Sequence, residues 1–191
     1  MIQLLPIHGT WVEYARAKET GSRFNGTTIL DKGAGQFVGL LGEVAFGIFL
    51  RDFEGLEFEH CGFNSYDFDF LVEGVKVDVK TKACTTIPLP HYTVHITDSQ
   101  MDRDCDVYIF CRASQSVVYL LGWMDKQDFW SSELGIFHKR GDPDGAAFVE
   151  KADARTMQIQ DLNGMESFAE YILARSTNHS KKPIYYNEET T

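Results

Sequence analysis

The chain is expected to fold as a mixed α/β domain of the α+β kind, with a central mixed β-sheet flanked by helices. Three observations point there. Residues 36–51 form a long apolar helical pattern, residues 67–82 alternate strictly around a turn signal, and residues 106–121 hold two further apolar strands.

Composition sets the outer bounds. The chain has 191 residues, with 43% hydrophobic, 13% aromatic and 24% charged content, ordinary for a globular protein, so fibrous and disordered classes are excluded. No apolar run approaches the roughly 20 residues of a membrane span, so no membrane partner is expected. The start, Met1-Ile2-Gln3-Leu4-Leu5-Pro6, has neither the basic nor the long apolar region of a signal peptide, and a cytoplasmic location is expected. Cys61, Cys84, Cys105 and Cys111 form no C-x-x-C pair, which favours reduced thiols over a zinc site or a disulfide frame. A formal charge of −10 argues against tight binding of nucleic acid through a broad basic surface, yet leaves local phosphate contact open.

In chain order, residues 11–20 read as a short helix ending near Gly21, followed by a loop with Gly26, Gly33 and Gly35. Over residues 36–51, Phe37, Leu40, Leu41, Val44 and Ile48 make an apolar stripe. Ala45, Phe46, Phe49 and Leu50 widen it nearly all round, so this helix is largely buried. Glu43 is the only acid in its middle, and Gly39, Gly42 and Gly47 around it permit close approach of a backbone or ligand. A strand follows at 56–61, then the hairpin of 67–82, an extended connection at 87–90 and a strand at 92–96. Residues 98–104 read as a short polar helix, 106–111 and 116–121 as a second hairpin, and 123–130 as a short helix. Residues 133–153 are loop-like around the turn at 141–145, and Met165, Phe168, Ala169, Ile172 and Leu173 mark a C-terminal amphipathic helix.

The first hairpin carries the chemistry. A tight turn at Glu73-Gly74 sets Val72 against Val75, Phe70 against Val77 and Phe68 against Val79, an all-apolar core face. On the other face Asp69 falls opposite Asp78, with side-chain roots about 5 Å apart, and Asp67 falls opposite Lys80. Like charges so placed destabilise a sheet unless compensated, and a divalent cation would compensate them. A longer turn would shift the register and put Asp67 in the place of Asp69, so both remain candidates for the first acid.

The order of a helix bearing Glu43, then Asp69, then Asp78-Val79-Lys80 resembles the PD-(D/E)XK nuclease superfamily, the restriction-endonuclease-like fold. Gly39-Leu40-Leu41-Gly42-Glu43 looks like its helix motif, Asp69 like its first strand acid, and Asp78-Val79-Lys80 like its acid-x-Lys element. The resemblance covers about residues 36–122. It implies an αβββαβ core, while length and composition predict one domain over residues 1–176, with an embellishment over 123–176 and a flexible polar tail over 177–191. The family's Pro is replaced by Tyr66, and Asp104 stands where a Gln-x-x-x-Tyr element beginning at Gln100 would need Tyr.

What the resemblance implies is hydrolysis of DNA phosphodiester bonds, endonucleolytic in mode, with Mg²⁺ or Mn²⁺ as cofactor and DNA as partner. A homodimer is also in keeping with it, since many nucleases of this fold cut both strands as dimers. Asp69 and Asp78 would bind the ion directly, the Val79 carbonyl would be a third ligand, and Glu43 would act through water or hold a second ion. Lys80, on the strand face of Asp78, would position the attacking water and neutralise charge in the transition state. Lys82 and Lys76 extend that face as phosphate contacts, and Gln100 would orient the lysine or the substrate.

Plainer readings stand beside these. The strand acids fit a solvated sheet face, and Glu43 fits an ion pair with Lys80 or Lys82. His91 and His95 fit structural positions, and His138-Lys139-Arg140 fits either a phosphate grip or a solvated turn. The rival functions are a module of the same fold that binds nucleic acid or protein without catalysis, and a nuclease directed at RNA or junctions.

Overall fold

Backbone geometry at Glu73 (φ 49°) and Gly74 (φ 78°) closes the tight turn that the alternation predicts, because two successive left-handed residues match the twist of the strands they join. In the computed structural model, residues 2–6, 34–61, 67–114, 116–144, 148–149 and 152–179 are described. The expected helix over 11–20 and the loop through Gly33 lie outside them, as does the tail from residue 180 on.

A six-stranded sheet joins β1 (Gln3–Pro6), β2 (Phe58–His60), β3 (Phe70–Val72), β4 (Val75–Ala83), β6 (Val107–Ala113) and β7 (Val117–Asp125) in the order β1-β7-β6-β4-β3-β2. All neighbours are antiparallel except β4 and β6, which run parallel from Val77↔Val107 to Ala83↔Ala113. A smaller sheet, ordered β5-β11-β8, consists of β5 (Thr93–Thr97), β8 (Ile136–His138) and β11 (Ala154–Gln158), and a two-stranded ribbon pairs β9 (Pro143–Asp144) with β10 (Phe148–Val149). The helices are α1 (Ala34–Arg51), α2 (Lys126–Ser131) and α3 (Phe168–His179).

Each face of the large sheet has its own core. Val75, Val77 and Val79 of β4 lie with Val107, Ile109 and Cys111 of β6 under α1 and α3. Phe46 of α1 is fully buried, with its ring 5.2 Å from Phe70 and 5.4 Å from Phe168. Tyr108, Phe110, Tyr119 and Leu121 point the other way and pack on Val94 and Ile96 of β5 and Met157 of β11. The polar alternates of β4 therefore belong to the layer between the two sheets.

Several elements differ from the sequence reading. Residues 98–104 give only one 3-10 turn, Asp98–Gln100, so the passage from β4 to β6 contains β5 where the αβββαβ order puts a helix. Strand β7 runs on to Asp125, whose carboxylate caps α2 by accepting the Gln127 N–H at 2.8 Å, and this delays the helix expected from 123. The stretch 133–153 holds β8, β9 and β10 rather than loop alone. All four cysteines are free.

The last helix is tied down by charge as well as by Phe168 and Ile172. Arg175 of α3 reaches Asp106, just before β6, at 3.0 Å, and also bonds Asp125 and Tyr171, while the Tyr171 hydroxyl donates to Asp125 at 2.7 Å. Removing the ring that links α1, β3 and α3 is expected to be costly. Phe46→Ala should lower stability by about 3–5 kcal/mol, read as a lower midpoint of urea unfolding at unchanged slope.

Candidate active site

Pairing of β3 with β4 follows the expected register, Val72↔Val75, Leu71↔Lys76 and Phe70↔Val77, and then stops. Asp69 leaves the ladder. Its N–H bonds the Val77 carbonyl at 2.9 Å, so Asp69 and Phe70 both address Val77, as in a bulge. Its carboxylate turns back to accept the Val79 N–H at 2.7 Å. The direct pairs expected from the sequence, Asp69 with Asp78 and Asp67 with Lys80, are therefore corrected. Two aspartates face to face repel, and bending the strand lets one of them bond to the backbone instead.

The bend brings Asp69 within reach of three charged groups. Desolvation first, then the negative charges of Glu43 and Asp78, push its carboxyl well above the ordinary range, while the Val79 N–H and Lys80 pull it down. The charge of Asp67 is felt by Lys76. Between the two candidates for the first acid, Asp69 is the one grouped with Glu43, Asp78 and Lys80.

Asp78 is 3% exposed, and its neighbours on the inter-sheet side are Cys105 and Tyr108. Burial, and after it the Asp78 charge, pushes the Cys105 thiol up to about 11. The Lys80 ammonium stands 2.5 Å from the buried Asp78 Oδ2 and pairs with it. Since N–H and C=O of one residue leave a strand on the same side, the Val79 carbonyl points to the edge of β4 that β3 vacates.

Glu43 owes its position to a missing side chain. A Cβ on Gly42 would lie 1.8 Å from Thr81 Oγ1 and 3.0 Å from Thr81 Cβ, so only glycine lets α1 rest this closely on β4. Glu43 Oε2 is 2.8 Å from Nε2 of His60 on β2, with side-chain exposures of 17% and 22% respectively. Hydrogen bonding to His60 gives the mid-helix acid a partner other than the lysines that the sequence offers. Sequence reasoning misses His60, whose sole signal is its place in the short strand before the hairpin.

The weaker candidates divide. Lys82 and Gln100 line a cleft of about 370 Å³ beside Lys80, together with His95, Arg103 and Arg112. Lys76 does not. Its ammonium bonds Asp104 at 2.5 Å and its N–H bonds Asp106 at 2.9 Å, at the opposite end of β4, which corrects its placing as a phosphate contact beside Lys80. His91 is exposed against Tyr92. His138 bonds the Thr156 hydroxyl at 2.9 Å and Lys139 pairs with Asp153 at 3.1 Å, so that basic run is part of the small sheet. Among the described residues, no three His, Cys, Asp or Glu side chains are gathered closely enough, as they stand, to hold a metal ion, and no helix is long and apolar enough to cross a membrane.

Compared with family models, with curated proteins and with solved structures, the chain matches none.

Two predictions come from this geometry. Gly42→Ala should lift α1 off Thr81 and cost about 1–3 kcal/mol by overpacking. Gly39→Ala, where an added Cβ meets nothing within 4 Å, should be neutral or stabilising by up to about 1 kcal/mol in the same unfolding assay. The second concerns pH. Folding raises the Asp69 carboxyl above its ordinary value of 3.8, so the folded chain keeps that proton where the unfolded chain loses it. In metal-free buffer, stability should fall as pH rises from the ordinary value through the raised one. Asp69→Asn, which can still accept the Val79 N–H, should remove that fall when unfolding midpoints are measured across pH.

Proposed function

We propose that this chain is a metal-dependent nuclease that hydrolyses DNA phosphodiester bonds, acting as an endonuclease. The observation that carries the reading is the grouping of Glu43, Asp69, Asp78 and Lys80 where β3 bends away from β4, with the buried Asp78 Oδ2 paired to the Lys80 ammonium. Strand order supports it too. The element order α1-β2-β3-β4, with β6 later in the chain, follows an αβββαβ order except that β5 stands where its second helix would be.

The donor types suit a hard divalent cation such as Mg²⁺ or Mn²⁺, and the side chains, not gathered closely enough as they stand, would draw together to hold it. Asp69 and Asp78 offer carboxylate oxygens, Val79 a carbonyl, and Glu43 a further carboxylate oriented by His60. Bound there, the ion would acidify a water and offset charge on the phosphoryl oxygens. Repulsion among the three acids is what such a cation relieves. Lys80, drawn to Asp78 in its absence, then has its ammonium free for a substrate phosphate or the attacking water. The Val79 N–H holds Asp69 in place, and His60 holds Glu43.

A second reading, a binding module without catalysis, is favoured by the Lys80–Asp78 ion pair, which neutralises Asp78 without any metal. A nuclease acting on RNA or on junctions uses the same phosphate chemistry, and substrate choice distinguishes it. The test is incubation with circular, linear, single-stranded and branched DNA, and with RNA, across a titration of Mg²⁺ and Mn²⁺. Wild type should nick circular DNA only with metal, and Asp78→Asn and Lys80→Ala should each lower the rate by about 100-fold or more. No cleavage of any substrate, with oligonucleotide binding indifferent to Lys80→Ala, would favour the binding module.

A further inference from the structure

We infer that the cleft beside Lys80 is a seat for one strand of nucleic acid, so that the substrate enters as a single strand or a frayed end and not as an intact duplex. This rests on the nuclease reading for its biological use, but the cleft argues for itself through charge and width.

Charge comes first. With 28 acidic and 18 basic residues, the chain has little to hold a polyanion over a broad surface. Yet the cleft is lined by Lys80, which also pairs with Asp78, and by Lys82, Arg103 and Arg112, with no Asp or Glu lining it among the described residues. The cations are gathered inside a concavity, where only a ligand able to enter can meet them. Arg112 is held in place there, with Nη2 donating to the Thr93 carbonyl at 2.8 Å and its guanidinium 5.6 Å from the centre of the Tyr92 ring. Gln100 adds a neutral hydrogen-bonding group.

Width decides between one strand and two. The cleft lies between β5 and the later residues of β4 and β6, and the small sheet packs on the large one through Val94, Ile96, Tyr108 and Phe110. A B-form duplex, whose major groove alone is about 12 Å wide, is too broad for a cleft of about 370 Å³. A duplex meets the rim, while one strand can lay its phosphates along Lys80, Lys82 and Arg103. The volume of about 370 Å³ is at the scale of a small-ligand site, which suits about one nucleotide and its phosphate. Gly39 of α1 closes one side without a side chain, and a Cβ there would meet no atom within 4 Å.

The test is equilibrium binding by fluorescence anisotropy in EDTA, using labelled oligothymidylate and a duplex of the same length. The expected result is single-strand binding about tenfold or more tighter than duplex binding. The double variant Lys82→Glu/Arg103→Glu should weaken it by about tenfold or more and lower the salt slope by about 0.7 for each phosphate that is no longer neutralised. Gly39→Leu changes no charge and lengthens a side chain into open space, and it should weaken single-strand binding as well while leaving the circular dichroism unchanged. Equal or tighter duplex binding, no binding in EDTA, or binding indifferent to both variants would overturn the inference. The two readings fail separately. Cleavage with metal but no effect of the cleft variants removes the single-strand seat alone, and cleft-dependent binding without cleavage removes the nuclease alone.

Discussion

Repulsion between carboxylates at the open end of the β3–β4 hairpin governs the geometry around it. A hairpin that kept its ladder would set Asp69 against Asp78, and the strand bends at Asp69 instead. The bend turns a backbone N–H of β4 into a ligand for Asp69 and leaves the Val79 carbonyl facing the vacated edge. It also brings Asp69 towards Glu43, which reaches the same edge only because Gly42 lets α1 lie against Thr81. A local electrostatic conflict and a missing methyl group thus combine to place three acids and a lysine at one strand edge.

The two faces of the large sheet divide the labour. Val75, Val77 and Val79 of β4 pack under α1 and α3, with Thr81 beneath Gly42, and this side supplies rigidity through Phe46, Phe70 and Phe168. Even-numbered residues of β4 are charged and sit in the layer below the small sheet, at the margin of a second core that contains Tyr108 and Phe110. Desolvation there raises the energetic stakes of every charge, so Asp78 and Lys80 lie together and the basic groups collect where solvent still reaches. A protein acidic overall can in this way keep a positive interior groove.

Much of this is legible in the sequence because it follows from period and turn chemistry. The strict alternation about Glu73-Gly74 fixes the register as far as Phe70↔Val77, and the apolar girth of residues 36–51 marks α1 as buried. The break at Asp69 is not legible, because alternation continues through Asp67-Phe68-Asp69 and only the charge conflict interrupts pairing. Strand β11, Ala154-Arg155-Thr156-Met157-Gln158, lies at the centre of the small sheet yet carries a weak pattern, and its burial is owed to partners distant in the chain. Arg112 and Arg103 escape notice for a related reason. One is a lone charge closing an apolar run and the other sits in a polar turn, and only the packing of β5 brings them to one cleft.

Arg175 gives the architecture a temporal order. It spans 69 residues to Asp106 and 50 to Asp125, so it bonds both ends of the β6–β7 hairpin from the last helix. While the chain is still emerging from a ribosome, the central strands can pair, but the two aspartates beside each other at the hairpin's open end have no guanidinium between them. The fold is thereby latched from its C-terminal side, and a nascent chain that stalls before Arg175 lacks the bonds that join the two ends of this hairpin.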